Sequence, residues 1–297
     1  MGTKDRRPAP VHRGEGGKAV ISRLTGALVR AALVIVLLAV PSILLPDACP
    51  DGKQMVALVA LFAGTLTFVE YKATYPGLVE FRDAPPFNRI RFLLLFSMVL
   101  ALTLIQRGAV EPTPLTLLVA ELGELLGQSA DFPYSPVRLA TLMLSDSASA
   151  AEVSLVRTAA ATTYVIALTI LALFILVIRL NRWPSRNAAF NVWVNLPTFE
   201  ATAGGDVVLR LQRDARFNVA LGFLLPFLIP TVVRIGTSGV EPLSLASPQT
   251  LVWTMTAWAF LPASLFMRGV GMARIAEMIR EKRRMGEAIG AGQFAPA

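Results

Sequence analysis

Two Arg-Asp pairs are the residues in this chain whose types and spacing best suit them to grip something. Arg82-Asp83-Ala84 and Arg213-Asp214-Ala215 each set a guanidinium beside a carboxylate, and each is followed by Phe-Asn, at Phe87-Asn88 and at Phe217-Asn218. An Arg fork is rigid and holds a carboxylate or a phosphate bidentately. Such a pair can latch a helix end, bind an anion or, with a free carboxylate, do acid–base work; anchoring a loop is the plainer role. Further on, Val110-Glu111-Pro112 is answered by Val240-Glu241-Pro242. One offset carries Asn88 onto Asn218 and Glu111-Pro112 onto Glu241-Pro242, with the Arg-Asp pairs one residue out of step. Read as a duplicated unit, these matches make a parallel repeat about the membrane normal, in which spans two and three correspond to spans four and five. Chance in a biased sequence is the competing reading.

The residue types that are scarce narrow the chemistry. The chain has one His and one Cys, His12 in a polar tail and Cys49 between two apolar runs. A single Cys forms no internal disulfide. With no His in any apolar run, the chain has no axial ligand for a haem within a span and no His–Glu–x–x–His zinc helix. No glycine-rich loop ending in Lys-Ser or Lys-Thr is present for a nucleotide. The expectation is a protein without a cofactor and without a catalytic constellation. A lipid-directed enzyme using Asp83, Asp214 or Glu200 is a third reading behind contact and transport.

The elements that position these residues are apolar. Hydrophobic residues make up 54% of the 297 and charged residues 16%. Six runs stand out, at 27–45, 55–71, 92–105, 159–178, 217–233 and 251–267. About 20 mostly apolar residues cross a bilayer as a helix, so the sequence predicts an all-α integral membrane protein with six spans. The third run is short, and reaches full length only with Arg91 and Arg107 snorkelling at its ends; five spans is the alternative. All but five of the 28 basic residues fall in the N-terminal segment, the second and fourth inter-span loops and the C-terminal tail, the exceptions being Lys53, Arg107, Arg138, Arg157 and Arg234. The positive-inside rule then predicts cytoplasmic N and C termini. The net charge of +8 records that topology. It favours contact with anionic lipid headgroups over nucleic acid. Arginine greatly outnumbers lysine, which points to a bacterial source and so to a bacterial inner membrane.

Midway through the runs only hydroxyls appear: Thr65, Thr67, Ser97, Thr162, Thr163, Thr169, Thr254 and Thr256. Their expected role is helix–helix hydrogen bonding; a transporter would need them to line a path. Pro226 and Pro230 predict a kink in span five, with the freed carbonyls satisfied by neighbours.

Between the spans, Thr113-Pro114 reads as a helix cap and first position. It is followed by Leu115, Leu118, Val119, Leu122, Leu125 and Leu126 at helical spacing, so the outer loop 106–157 should hold an amphipathic helix covering the bundle or docking a partner. Ser135-Pro136 should open a second, short helix. In the inner loop 181–216, the alternation of Phe190, Val192, Val194 and Leu196 suggests a strand, or a hairpin turning at Gly204-Gly205, while Asp206 would cap a helix running into span five. Trp183 and Trp193 are expected at headgroup level. Residues 1–20 read as a disordered basic tail, 21–268 as the membrane domain and 269–297 as a basic amphipathic tail whose Arg280, Lys282, Arg283 and Arg284 meet anionic lipid. The functional expectation is a non-enzymatic accessory, assembly or scaffold subunit that works by contact with other membrane subunits or with its own copies; the alternative is a small-solute transporter or channel.

Overall fold

The computed structural model describes residues 13–46, 50–181, 183, 192–199, 204–236, 245 and 247–293. Within them the chain is all-helical and has no strand. Six helices are long and apolar enough to cross a membrane: α1 (Arg13–Leu44), α2 (Pro50–Lys72), α3 (Phe87–Gly108), α6 (Ala150–Leu180), α8 (Val207–Gly236) and α9 (Pro248–Gln293). Three shorter ones lie between them: α4 (Pro114–Ala130), α5 (Pro136–Ala140) and α7 (Val192–Asn195). The chain is therefore a multi-pass membrane protein by fold. α3 has 22 residues, roughly 33 Å of helix, so the third run reaches spanning length.

Local chemistry sets the helix starts. Thr113 and Thr116 form a reciprocal capping box before Pro114, and Ser149 and Glu152 form another at the start of α6. The Ser135 hydroxyl accepts from the Arg138 amide and opens α5. The Asp206 carboxylate accepts from the Val208 amide, 3.0 Å away, and opens α8. α1 begins at Arg13, inside the segment read from composition as a tail; residues 1–12 lie outside the described residues. α9 runs unbroken for 46 residues, so the basic tail continues span six instead of folding back as a separate surface helix.

α9 is the central helix and packs on α8, α6, α3 and α1. Its Met255, Trp258 and Met267 meet Leu94, Met98 and Leu102 of α3 and Ala159, Ala160 and Phe174 of α6 in one core. The α8–α9 crossing is made close by glycine. A Cβ on Gly269 would stand 2.7 Å from the Ala215 carbonyl oxygen, and one on Gly222 would stand 2.7 Å from that of Pro262. Among the described helices α2 packs on α1 alone, through Gly64 against Ile35.

Two expectations give way here, at Val192–Asn195 and at Trp183. α4 packs on α3 and α6, burying Thr116, Gly123 and Gly127 and setting Val119 and Leu126 against the core, and leaves Leu115, Leu118, Leu122 and Leu125 exposed. The apolar stripe of a membrane helix need not face protein, because lipid is as apolar as leucine and close helix contact is made by small residues. Val192–Asn195 forms one helical turn, not a strand: Val194, Asn195 and Leu196 are all buried, so their alternation does not separate two faces. Trp183 is buried at 4% exposure instead of lying among headgroups, and its indole N–H donates to the Ala84 carbonyl at 3.1 Å.

Four of the hydroxyls also bond differently from the expectation, while the buried Thr256 hydroxyl has no partner among the described residues. Thr65, Thr67, Thr162 and Thr163 each donate to a carbonyl of the preceding turn of their own helix. They are satisfied locally, not across helices.

Candidate functional site

The termini of the spans separate into two ends. One, the basic end, gathers the C-terminal end of α2, the 73–86 loop, the 192–199 segment, the start of α8 and the latter half of α9. Its centre is a folded loop held by two reciprocal devices. The Glu70 carboxylate, at the end of α2, accepts from the amides of Gly77, Leu78 and Val79 at 3.0, 2.9 and 3.1 Å. Arg82, coming back from that loop, donates to the carbonyls of Glu70, in the last turn of α2, and of Ala73 and Thr74 just past it. The free carbonyls at a helix C-terminus carry the negative end of its dipole, and a guanidinium supplies several donors at once. Arg82 also pairs with Asp83 at 3.0 Å, with its side chain 3% exposed. The first Arg-Asp pair is thus a helix cap.

Beyond it lies an ion pair that sequence reading missed. Arg268 of α9 grips Glu80 with two parallel bonds, Nε to Oε2 at 2.7 Å and Nη2 to Oε1 at 2.9 Å. The same guanidinium donates to the Asn218 Oδ1 at 3.1 Å and to the Thr198 hydroxyl at 3.0 Å, and Thr198 in turn donates to Glu80. The two Asn residues singled out by the repeat converge here: Asn88 donates to the Glu80 carbonyl at 2.8 Å, and Asn218 accepts from Arg268. Asn195 bonds to the Phe81 and Asp83 amides. Around the pair, Phe81 stacks on Phe87 with centroids 4.2 Å apart, and Gly271 leaves the room for the Phe81 ring. Arg274 closes the rear by donating to the Trp183 carbonyl at 3.0 Å.

The second Arg-Asp pair has a different setting. Arg213 and Asp214 lie within helix α8, on its surface, 3.4 Å apart, and Arg213 is 77% exposed. Phe217 is exposed where Phe87 is buried. At the opposite end Glu111 pairs with Arg107 at 2.9 Å, and Pro112 lies in the turn before α4; Glu241 and Pro242, like His12, Cys49 and Glu200, lie outside the described residues. Pro226 and Pro230 are buried in α8, and the Trp258 indole donates to the Pro226 carbonyl at 3.1 Å, the neighbour's bond that the kink required. Of the tail cations, Arg283 pairs with Asp206 at 2.8 Å, and Arg280, Lys282 and Arg284 are exposed. The Asp206 carboxyl is held below the usual Asp range by the Val208 amide and then by Arg283.

Chemically, the ion-paired cluster is a fastening. Both Glu80 oxygens are engaged, so no free base remains, and Arg82 is spent on carbonyls. Among the described residues no three His, Cys, Asp or Glu side chains group as a metal site would need. Cation donors that are not spent lie beside the cluster, in a cavity of about 490 Å³ between α1, α2, α3 and α9 whose charged lining residues are Arg30, Arg82, Arg89 and Arg91.

Compared with protein-family models, with curated proteins and with solved structures, the chain matches none. What the fold itself defines is the class, a multi-pass α-helical membrane protein with six spanning helices.

Proposed function

We propose that this chain is a bacterial inner-membrane protein with both termini in the cytoplasm, and that it works by contact, as an accessory, assembly or scaffold subunit of a larger membrane complex. The observation that carries the reading is the placement of α2. Among the described helices it packs on α1 alone, and its outward face of Met55, Leu58, Leu61, Phe62 and Val69 is exposed along its length. A span with one neighbour is the part of the bundle with most surface left for a partner helix, and TM helices associate by such packing. The engagement of both Glu80 oxygens and of Arg82 within the fold supports a fastening role for the cluster at the basic end. The locally satisfied threonines speak for packing over a solute path. The gathering of Arg and Lys at one end supports its cytoplasmic placement.

The test is purification in mild detergent from the native membrane, with mass spectrometry of what accompanies the chain. One or two proteins at near-stoichiometric yield, lost on Leu58→Ala with Phe62→Ala but kept on Leu168→Ala in α6, are expected. Recovery of the chain alone, or only with its own copies, would sink the subunit reading. Reporter fusions at residues 75 and 146 test the orientation, the first expected inside and the second outside.

A further inference from the structure

The geometry points to a binding site for the phosphate of an anionic glycerophospholipid in the cavity between α1, α2, α3 and α9. This deepens the reading of a bilayer partner from a diffuse surface attraction to one built site, and it does not depend on the subunit role. Four arginines line the cavity and, among the described residues, no Asp or Glu does. Arg82 is consumed by α2 carbonyls and Asp83, which leaves three. Arg30 lies 4.6 Å over the Tyr71 ring, donates to the Gly26 carbonyl with one nitrogen and is within hydrogen-bond reach of the Tyr71 hydroxyl, with no carboxylate among the described residues on its fork. Arg89 is exposed at the mouth. Arg91 is half-buried, with the Phe260 ring 5.7 Å from its guanidinium carbon. Glu80 is near enough to attract it, but both Glu80 oxygens are already held by Arg268. A guanidinium withdrawn from water without an acceptor of its own is costly. Arg268 adds a like charge near Arg91, and an anion in the cavity relieves both penalties.

The occupant's second half is written in depth. α1 and α3 leave the basic end, and one turn beyond their arginines they set Leu33, Val34, Phe92 and Leu95 into the same cavity; α9 returns to that end and supplies Phe260. The arginines thus stand toward the end, beside Leu78, Val79, Phe81 and Pro85 of the loop, and the lining toward the bundle's middle is apolar. That gradient fits a phosphate joined to hydrocarbon, and basic pockets between spans at a cytoplasmic surface bind anionic headgroups. A volume of about 490 Å³ admits a headgroup and the first carbons of its chains. The cavity between α6, α8 and α9 differs in carrying an acid: Glu277 lines it beside Arg179, Arg274 and Arg280, and pairs with Arg274.

The experiment uses the full chain, delipidated in neutral detergent. Native mass spectrometry and thermal unfolding are followed on adding phosphatidylglycerol, phosphatidylcholine or inorganic phosphate. Expected are a discrete phosphatidylglycerol adduct and a raised unfolding midpoint, with far less from the other two. Arg91→Gln and Arg30→Gln should each weaken the adduct on the order of tenfold, as loss of a charge-assisted bond does. Arg213→Gln, at the same end but outside the cavity, should leave it unchanged. Leu95→Trp keeps every charge and fills the cavity, so it should abolish the adduct in a chain whose fold is checked by circular dichroism. Equal response to phosphatidylcholine, or equal loss on Arg213→Gln, would overturn the site in favour of general surface attraction. An equal effect from inorganic phosphate would overturn the lipid and leave a soluble phosphoryl ligand.

Discussion

The bond from Trp258 to Pro226 makes a sharp test of how this bundle tolerates proline in a span. Pro230 has no amide hydrogen, so the carbonyl of Pro226, four residues earlier, loses its intrahelical donor. The Trp258 indole replaces it from α9 at 3.1 Å, with the ring 2% exposed. Trp258→Phe removes that donor and shrinks the ring beside Tyr164, whose centroid is 6.0 Å away. An orphaned buried carbonyl costs about 1–3 kcal/mol. Hydrogen bonds between membrane helices average only about 0.6 kcal/mol, because the competing state usually finds another partner; here proline has removed the obvious one, so about 1–1.5 kcal/mol is the expected share. The lost ring volume adds about 1 kcal/mol. Pro230→Ala restores the amide at that position. In that background Trp258→Phe should cost the volume alone, so the double-mutant cycle should show coupling of about 1–1.5 kcal/mol. The assay is SDS-driven unfolding in mixed micelles, followed by far-ultraviolet circular dichroism. If Trp258→Phe costs the same in the wild type and in the Pro230→Ala background, the indole is not substituting for the missing amide and the reasoning fails.

Three further outcomes follow from the same structure. Arg268→Lys keeps the charge and loses the fork on Glu80; with Arg268 about a quarter exposed, a loss of about 2–3 kcal/mol is expected in the same unfolding assay, and wild-type stability would remove the ion pair from its fastening role. Gly269→Ala drives a methyl to 2.7 Å from the Ala215 oxygen and should cost about 1–3 kcal/mol, whereas Gly286→Ala, with nothing within 4 Å, should gain a few tenths; equal effects would mean that α8 and α9 do not cross so closely. Asp206 is more acidic folded than unfolded, so its support of the first turn of α8 is complete above the ordinary Asp value of about 3.9 and is lost as pH falls through the lower folded value. Hydrogen exchange of that turn should show an acid limb in the wild type that Asp206→Asn flattens, and an identical limb in both would count against the cap.

How much of this was legible in the sequence follows from the range of each signal. The six spans, the Thr113 and Ser135 caps and the Asp206 start depend on neighbours within a few positions, and the structure has them where composition and spacing put them. The orientation of α4 was not legible, because periodicity identifies an apolar stripe without saying whether protein or lipid covers it. Gly123 and Gly127 were the better guide: a Cβ on Gly123 would come within 2.9 Å of the Thr162 hydroxyl. The turn at Val192–Asn195 escaped for a related reason, since alternation implies a strand only if one of the two faces is wet, and Asn195 is buried between two buried apolar neighbours.

The site was hidden by a different cause. Glu80 and Arg268 stand 188 positions apart, and no local pattern joins them. The arginines were conspicuous, but the positive-inside rule explains any arginine at the end of a span, so it explains too much. Arg82, Arg268 and Arg91 look alike as topology signals. They separate only when the fork of each is followed to its acceptors: carbonyls of α2 for Arg82, a carboxylate for Arg268, and for Arg91 an aromatic ring. An arginine whose donors are spent within the fold is holding the chain together. One whose donors open into a cavity with an apolar floor has capacity left for a ligand, and by that criterion the candidate lies beside the Arg-Asp motif that drew the eye, not in it.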